Sequence, residues 1–148
     1  MDLVDPASIH PDFERVLSDK PVPQQFLYRD VRSMVLGVYP DSNELLYHTH
    51  ALSSVYSVSR QLKHAFCHIA VYGQHLNLGF NSGTELNDPA GLLTGTGSRI
   101  RHVPVDSPSV LENADLVALI EQAVAHALDK LGGPATDKNH LISKVKTG

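Results

Sequence analysis

The fold of this chain is decided by residues 66–105, which read FCHIAVYGQHLNLGFNSGTELNDPAGLLTGTGSRIRHVPV. Apolar side chains recur at every second position on both sides of Gly73-Gln74, a period that is typical of β-strands. Glycine in the first position of a two-residue loop favours a type II′ turn, because that position needs a positive φ. The stretch therefore predicts an antiparallel hairpin with four facing pairs: Tyr72 with His75, Val71 with Leu76, Ile69 with Leu78, and Cys67 with Phe80.

Helical patterns flank the hairpin on both sides. Apolar residues recur at helical spacing over residues 24–38. A second helix is predicted between an N-cap at Asn113 and a glycine stop at Gly132. The strands of this chain are therefore expected to lie between an N-terminal and a C-terminal helix.

Three further strands are predicted outside the hairpin. Alternation of apolar and polar residues indicates strands over residues 44–50, 53–59 and 99–105. Strands that cluster between helices are typical of α+β domains, and we expect an antiparallel sheet of about five strands with both helices packed on one face.

The positions of prolines and of the glycine helix stop predict one domain with an extension at each end. Prolines at positions 6, 11 and 21 interrupt residues 1–22, which we expect to form an N-terminal arm with at most a short helix over 12–17. Residues 23–132 contain all the predicted strands and the two long helices. The polar residues 133–148 follow a strong helix stop and predict a flexible C-terminal tail.

The composition excludes several classes of protein. The net charge of −4 argues against general nucleic-acid binding, which usually needs a strong basic excess. The single cysteine, Cys67, excludes an intrachain disulfide framework and fits a reducing compartment. The sequence shows neither an apolar run of membrane-spanning length nor the basic and apolar regions of a signal peptide. We therefore expect a cytoplasmic protein that does not bind membranes.

A glycine-rich segment at the end of a long loop is the first candidate site. Its residues are Gly95, Thr96, Gly97, Ser98, Arg99, Arg101 and His102. Glycines let backbone N–H groups converge on an anion, and arginines neutralise its charge. The segment matches neither the P-loop nor the dinucleotide fingerprint. It predicts a site for a small anionic ligand, and the alternative is a glycine turn with solvated arginines.

Histidines form the second candidate site. His48 and His50 are two residues apart, so on a strand their imidazoles share a face and could bind one metal ion. His68 lies on the polar face of the predicted hairpin and could join them from a neighbouring strand. A metal ion is thus the one cofactor that the sequence suggests, and the alternative is that exposed histidines line an open sheet face.

Other reactive side chains give weaker patterns. Cys67 falls on the apolar face of the hairpin, where cysteine is usually an inert hydrophobe. Glu85 and Asp88 lie in the long loop near Arg101 and His102, and the four could position and protonate a substrate. The alternative is that these carboxylates are solvated and that Asp88-Pro89 makes a turn.

The central stretch resembles the YdhG-like family of domains of unknown function. The resemblance lies in Gln74–Phe80, which read QHLNLGF where the family's hairpin has HVNLGF, and in residues 83–103, where the family's pattern is G-x-E-L-x-D-P-x-G-L-L-x-G-T-G-K-x-x-R-H-V. Ser98 stands where lysine is common in that family. The resemblance implies a compact α+β domain related in shape to frataxin-like and YjbR-like folds.

Some members of the family are described as frataxin-like iron chaperones, so the resemblance also implies iron handling. Frataxin-type iron binding uses an acidic face on the first helix. Here that helix carries Asp30 together with Arg29 and Arg32. No catalytic residues are implied by the resemblance.

Three functions follow from these observations, in decreasing order of preference. The first is a non-catalytic binding or interaction module for a small anionic ligand or a protein partner. The second is a frataxin-like protein that handles iron or another metal. The third is a small enzyme with an anion-binding glycine loop.

Overall fold

A computed structural model of the chain describes residues 2–146 and contains three α-helices and one six-stranded sheet in that range. The helices are α1 (Pro11–Leu17), α2 (Val22–Val38) and α3 (Ala114–Leu131). The strands are β1 (Asn43–His48), β2 (Leu52–Ser57), β3 (Ala65–Val71), β4 (Leu76–Phe80), β5 (Arg101–Pro104) and β6 (Leu141–Ser143). The predicted α+β class is confirmed.

The sheet differs from the prediction in one strand and in its direction. Its order is β5-β4-β3-β2-β1-β6, and β1 to β5 form an antiparallel meander of sequential neighbours. The sixth strand, β6, runs parallel to β1 and pairs Leu45 with Ile142. The sheet is therefore mixed, whereas we expected about five antiparallel strands.

The added strand comes from residues 133–148, where we expected a flexible tail. Asn43 at the start of β1 holds this segment: its Nδ2 donates to the Asp137 carbonyl at 2.8 Å, and its Oδ1 accepts from the His140 amide at 2.9 Å. Asp137 also receives the guanidinium of Arg60 at 2.8 Å. A strand of three residues is too short to show alternation in the sequence, which is why the prediction missed it.

The N-terminal residues also contribute to the core. The short helix expected over 12–17 is present as α1, and its Phe13 and Leu17 are fully buried. The ring of Phe13 stacks on that of Tyr28 in α2, with centroids 4.7 Å apart. The segment that we expected to be an arm thus packs against the helical side of the domain.

The predicted hairpin is confirmed in register, but its turn is of another type. Val71 pairs with Leu76, and Cys67 pairs with Phe80, as expected. Gly73 lacks the positive φ that a type II′ turn requires. The carbonyl of Tyr72 accepts instead from Gln24 Nε2 of α2 at 2.5 Å, so the loop is held from the helix.

The helices α2 and α3 contact each other, and both contact β3. The buried side chains of both helices belong to the same hydrophobic cluster as Cys67, Ile69 and Val71 of β3. The alternate residues of the sheet, including His68, lie on the other face. This arrangement leaves the end of α3 beside the loops at one end of β3, where the candidate site lies.

Candidate anion-binding cleft

A cleft of about 360 Å³ lies between the second half of α3, the 3-10 turn Leu62–His64, and the long loop that precedes β5. Its polar lining includes three cationic side chains, Lys63, Arg99 and Lys130, and two histidines, His64 and His126. No acidic residue lines it within residues 2–146. Such a volume is within the range of small-molecule sites, about 300–1,000 Å³.

The helix supplies the cleft with four residues at regular spacing. Ala123, His126, Ala127 and Lys130 are three or four positions apart, so they share one face of α3. The small alanine side chains leave the space that larger residues would fill. The helix therefore forms one wall with a lysine, a histidine and two methyl groups.

A carboxylate already contacts the cationic wall from the side. Glu85, in the 3-10 turn Gly83–Glu85, accepts through Oε2 from His126 Nε2 at 3.1 Å and from Lys130 Nζ at 3.4 Å. The charge of Lys130 lowers the pKa of Glu85 below its ordinary value. This pair of side chains can thus bind one carboxylate oxygen.

The floor of the cleft is apolar. Phe66, Ala123 and Ala127 are buried there, and Leu86 is half-buried against the main core. At the rim, Leu62 and Ile100 are each 50% exposed. The cleft combines apolar surface below with positive charge above.

His64 is oriented by a neighbour outside the cleft. Its Nδ1 forms a hydrogen bond of 2.7 Å with Ser59 Oγ. The ring is thereby fixed in one orientation at the wall of the cleft.

Of the predicted glycine-loop residues, only Arg99 lines this cleft. A bridge between Thr94 and His102 closes the loop, with N–O distances of 2.8 and 3.0 Å between their backbones. Gly95 has φ 118°, which glycine adopts readily. His102 lines a separate cavity of about 540 Å³ beside the tip of the hairpin and the start of α2.

The loop that carries Arg99 is held by Thr84 and passes close to Gly83. The Thr84 amide donates to the Arg99 carbonyl at 3.0 Å, and Thr84 Oγ1 donates to the Ser98 carbonyl at 3.1 Å. A Cβ at Gly83 would lie 2.6 Å from the Cβ of Arg101. Only glycine therefore permits this close approach of the loop to β5.

The three histidines predicted as metal ligands do not lie together. His48 ends β1, and His50 lies beyond it in the turn to β2. Through Val55 of β2, His68 is in register with Leu45 of β1, so these two side chains lie on the same face of the sheet. His48 is an odd number of residues from Leu45 and therefore lies on the opposite face. Within residues 2–146, no group of three His, Cys, Asp or Glu side chains is placed to hold a metal ion.

His68 has a structural environment. Its Nδ1 forms a hydrogen bond of 3.0 Å with Asn81 Oδ1, and its ring lies directly over Gly79. Burial lowers the pKa of His68 below its ordinary value of 6.5, and the hydrogen bond with Asn81 only partly opposes this effect. The ring is therefore uncharged at neutral pH.

The remaining reactive side chains also have structural partners. Asp88 accepts from the amides of Leu92 and Leu93 at 2.9 and 2.8 Å, which folds the long loop back on itself. Cys67 is fully buried, and burial raises the pKa of its thiol well above the ordinary value.

Sequence analysis did not assign four of the five basic side chains of the cleft to an anion site. Lys63 and His64 belong to a turn, and His126 and Lys130 belong to a helix far along the chain. The available signal was on α3, where a histidine and a lysine one turn apart share a face with two alanines. Sequence analysis predicted this helix but assigned no site to that face.

Comparison of the chain with protein-family models, with curated proteins and with solved structures finds no match. None of the helices between residues 2 and 146 has the length and apolarity that a bilayer crossing requires.

Proposed function

We propose that this protein is a non-catalytic binding module whose cleft beside α3 takes a small anionic ligand. The observation that carries the proposal is the lining of the cleft, in which three cationic side chains and two histidines surround one cavity. Hydrogen bonds from charged donors to an anion are stronger than those between neutral groups. A partly enclosed site also screens these charges less than open solvent does.

The ion pair at Glu85 supports the proposal. His126 and Lys130 contact a carboxylate that comes from another part of the chain. Because the Glu85 side chain is half exposed, an anion in the cleft can displace it at low cost. The same two donors would then serve the ligand.

A binding role is preferred to catalysis because the reactive groups are engaged elsewhere. The Asp88 carboxylate organises the loop, the Cys67 thiol is buried in the core, and His68 is bonded to Asn81. General acid–base catalysis needs a titratable group within hydrogen-bond reach of the substrate, and the two histidines of the cleft, His64 and His126, are already hydrogen-bonded to Ser59 and Glu85. In the cleft, the cations supply charge and donors, which suits binding.

The resemblance to the YdhG-like family is retained as part of this proposal, together with a frataxin-like shape and a cytoplasmic location. Its support is the confirmed hairpin register of residues 74–80 and the single buried thiol of Cys67. Iron handling has less support, because His48, His50 and His68 lie apart in the fold.

The proposal is tested by measuring the melting temperature and the heat of binding with sodium phosphate, citrate and acetate. We expect at least one of these anions to raise the melting temperature, since a ligand that binds only the folded state stabilises it. Lys130→Gln and Arg99→Gln should each weaken that binding. Lys144→Gln is the matched control, because Lys144 is exposed and lies outside the cleft.

Two results would contradict the proposal. One is the absence of binding by any anion of the panel, including the apolar carboxylates used below. The other is binding that Lys144→Gln weakens as much as Lys130→Gln, because this would indicate a general charge effect.

A further inference from the structure

We infer that the ligand of the cleft is an apolar monocarboxylate, whose carboxylate takes the place of the Glu85 side chain on His126 and Lys130. This inference rests on the proposed function, because it specifies the ligand of the same cleft. It adds two elements, the chemical nature of the anionic group and the presence of an apolar body.

The anionic group follows from the ion pair that is already present. Glu85 Oε2 lies 3.1 Å from His126 Nε2 and 3.4 Å from Lys130 Nζ. The two donors are one helical turn apart on α3, so together they converge on a single carboxylate oxygen. Arg99 also lines the cleft and can add a further donor.

The apolar body of the ligand is inferred from the apolar floor of the cleft. Phe66 and Leu86 line the cleft together with the methyl groups of Ala123 and Ala127. Phe66 and the two alanines are buried, so the apolar surface that remains in contact with water when an inorganic anion or acetate is bound at Lys130 belongs mainly to Leu86, Leu62 and Ile100. A ligand with an apolar body removes it from water, at about 25 cal/mol for each Å² buried.

The rim extends the apolar surface to the mouth of the cleft. Within residues 2–146, five large hydrophobic side chains are strongly exposed: Leu3, Val22, Phe26, Leu62 and Ile100. Two of these, Leu62 and Ile100, line this cleft from different elements. They add exposed apolar surface to the same cleft that Lys130 and His126 line.

The size of the cleft agrees with this ligand class. Its volume of about 360 Å³ is far larger than that of a bare carboxylate, and it is near the lower limit of small-molecule sites. A medium-chain fatty acid or an aryl carboxylic acid has the required combination of one charge and one apolar body.

The test is a calorimetric and ¹⁵N NMR titration of the full chain with sodium octanoate, sodium acetate, octan-1-ol and octyl phosphate. We expect octanoate to bind at least tenfold more tightly than acetate and octan-1-ol, and more tightly than octyl phosphate. The amide signals of Phe66, Ala123 and Ala127 should shift on binding. Leu62→Ser should weaken octanoate binding several-fold and leave acetate binding unchanged.

Two substitutions test the role of the ion pair. Glu85→Gln removes the competing carboxylate, and we expect it to strengthen octanoate binding several-fold. Asp129→Asn is its matched control, because it removes the same charge next to Lys130 but leaves the ion pair intact. Lys130→Gln should weaken octanoate binding at least tenfold.

The outcomes separate this inference from the proposed function. If acetate or phosphate binds as tightly as octanoate and depends on Lys130, the proposed function holds and the inference is wrong. Tighter binding of octyl phosphate overturns the choice of a carboxylate. Octanoate binding that is unaffected by Lys130→Gln, or equalled by octan-1-ol, shows apolar adsorption and also overturns it. If no anion binds, both the inference and the proposed function fail.

Discussion

Arg32 of α2 and Glu44 of β1 form a two-point ion pair inside the core, with Nε to Oε2 at 2.8 Å and Nη2 to Oε1 at 2.9 Å. Their side chains are 4% and 2% exposed. Tyr56 also donates its hydroxyl to Glu44 Oε2 at 2.6 Å. The pair links α2 to the sheet, and each buried charge is compensated by the other.

Removing one charge of this pair should destabilise the fold strongly. Glu44→Gln leaves the Arg32 guanidinium buried without its counter-ion, and we expect a loss of about 3–5 kcal/mol in the free energy of unfolding. Urea denaturation measures this loss. Adding Arg32→Met to Glu44→Gln should recover part of it, because the double variant no longer buries a charge.

The exposed pair of Arg29 and Glu14 provides the control. Their 2.6 Å contact is between side chains that are 42% and 38% exposed. Glu14→Gln should therefore cost only about 0–1 kcal/mol. An equal cost for Glu14→Gln and Glu44→Gln would show that burial does not determine the contribution of the core pair.

Glycine at position 83 should be required for the loop that carries Arg99. In Gly83→Ala, the new methyl group would lie 2.6 Å from Arg101 Cβ and 2.7 Å from the Arg101 backbone nitrogen. Because backbone atoms cannot move aside freely, we expect a loss of about 1–3 kcal/mol in unfolding free energy. Thermal denaturation and urea titration both report this change.

Gly37 in α2 offers the opposite case. A methyl group added at this exposed position would meet no atom within 4 Å, apart from its own helix and its chain neighbours. Gly37→Ala should stabilise the protein by about 0.5–1 kcal/mol, since alanine favours the helix. If Gly37→Ala and Gly83→Ala changed the unfolding free energy in the same direction, the close approach at Gly83 would not explain the effect of Gly83→Ala.

The pKa of His68 predicts a pH dependence of stability. Its folded pKa is below the unfolded value of 6.5, so the unfolded chain binds more protons as the pH falls below 6.5. The stabilisation is therefore complete above this pH and is lost on acidification toward the folded pKa. Urea midpoints measured from pH 7.5 to 5 should decrease in the native protein.

His68→Gln should reduce this slope between pH 6.5 and 5, because the titrating group is gone. Carboxylates with lowered pKa, such as Glu85 beside Lys130, contribute only at more acidic pH, near and below their ordinary value of 4.5. If the dependence of the urea midpoint on pH is the same in His68→Gln, the effect arises from another histidine.

The side chain of Asn43 should hold the C-terminal strand. Asn43→Ala removes its hydrogen bonds to the Asp137 carbonyl and the His140 amide. We expect a loss of about 1–3 kcal/mol and faster amide hydrogen exchange at Leu141 and Lys144. Asn77→Ala is the control, because Asn77 lies in β4, which β3 and β2 separate from β1. Exchange that stays slow at Leu141 would contradict this role of Asn43.

Much of the fold could be predicted because it depends on local signals. The hairpin register follows from alternation around Gly73, and α3 begins after its predicted N-cap, where Asn113 Oδ1 accepts from the Asp115 amide at 2.9 Å. Such signals act within a few residues, so a single sequence contains them.

The rest depends on contacts between distant residues. The burial of Arg32 follows from Glu44 on another element, and the sixth strand follows from Asn43. The cleft likewise combines Lys63, Arg99 and Lys130 from three separate segments. Periodicity gives no information about which segments meet, and a charged residue on a helix is ordinarily expected to face water.

The parallel pairing of β1 with β6 also has a consequence for the order of folding. The strands β1 to β5 are joined by sequential neighbours, but His140 and Asn43 are 97 positions apart. Closing so long a loop is entropically costly until the intervening chain is compact. The meander should therefore assemble first, and β6 should dock last on an edge of β1 that stays open for strand pairing until then.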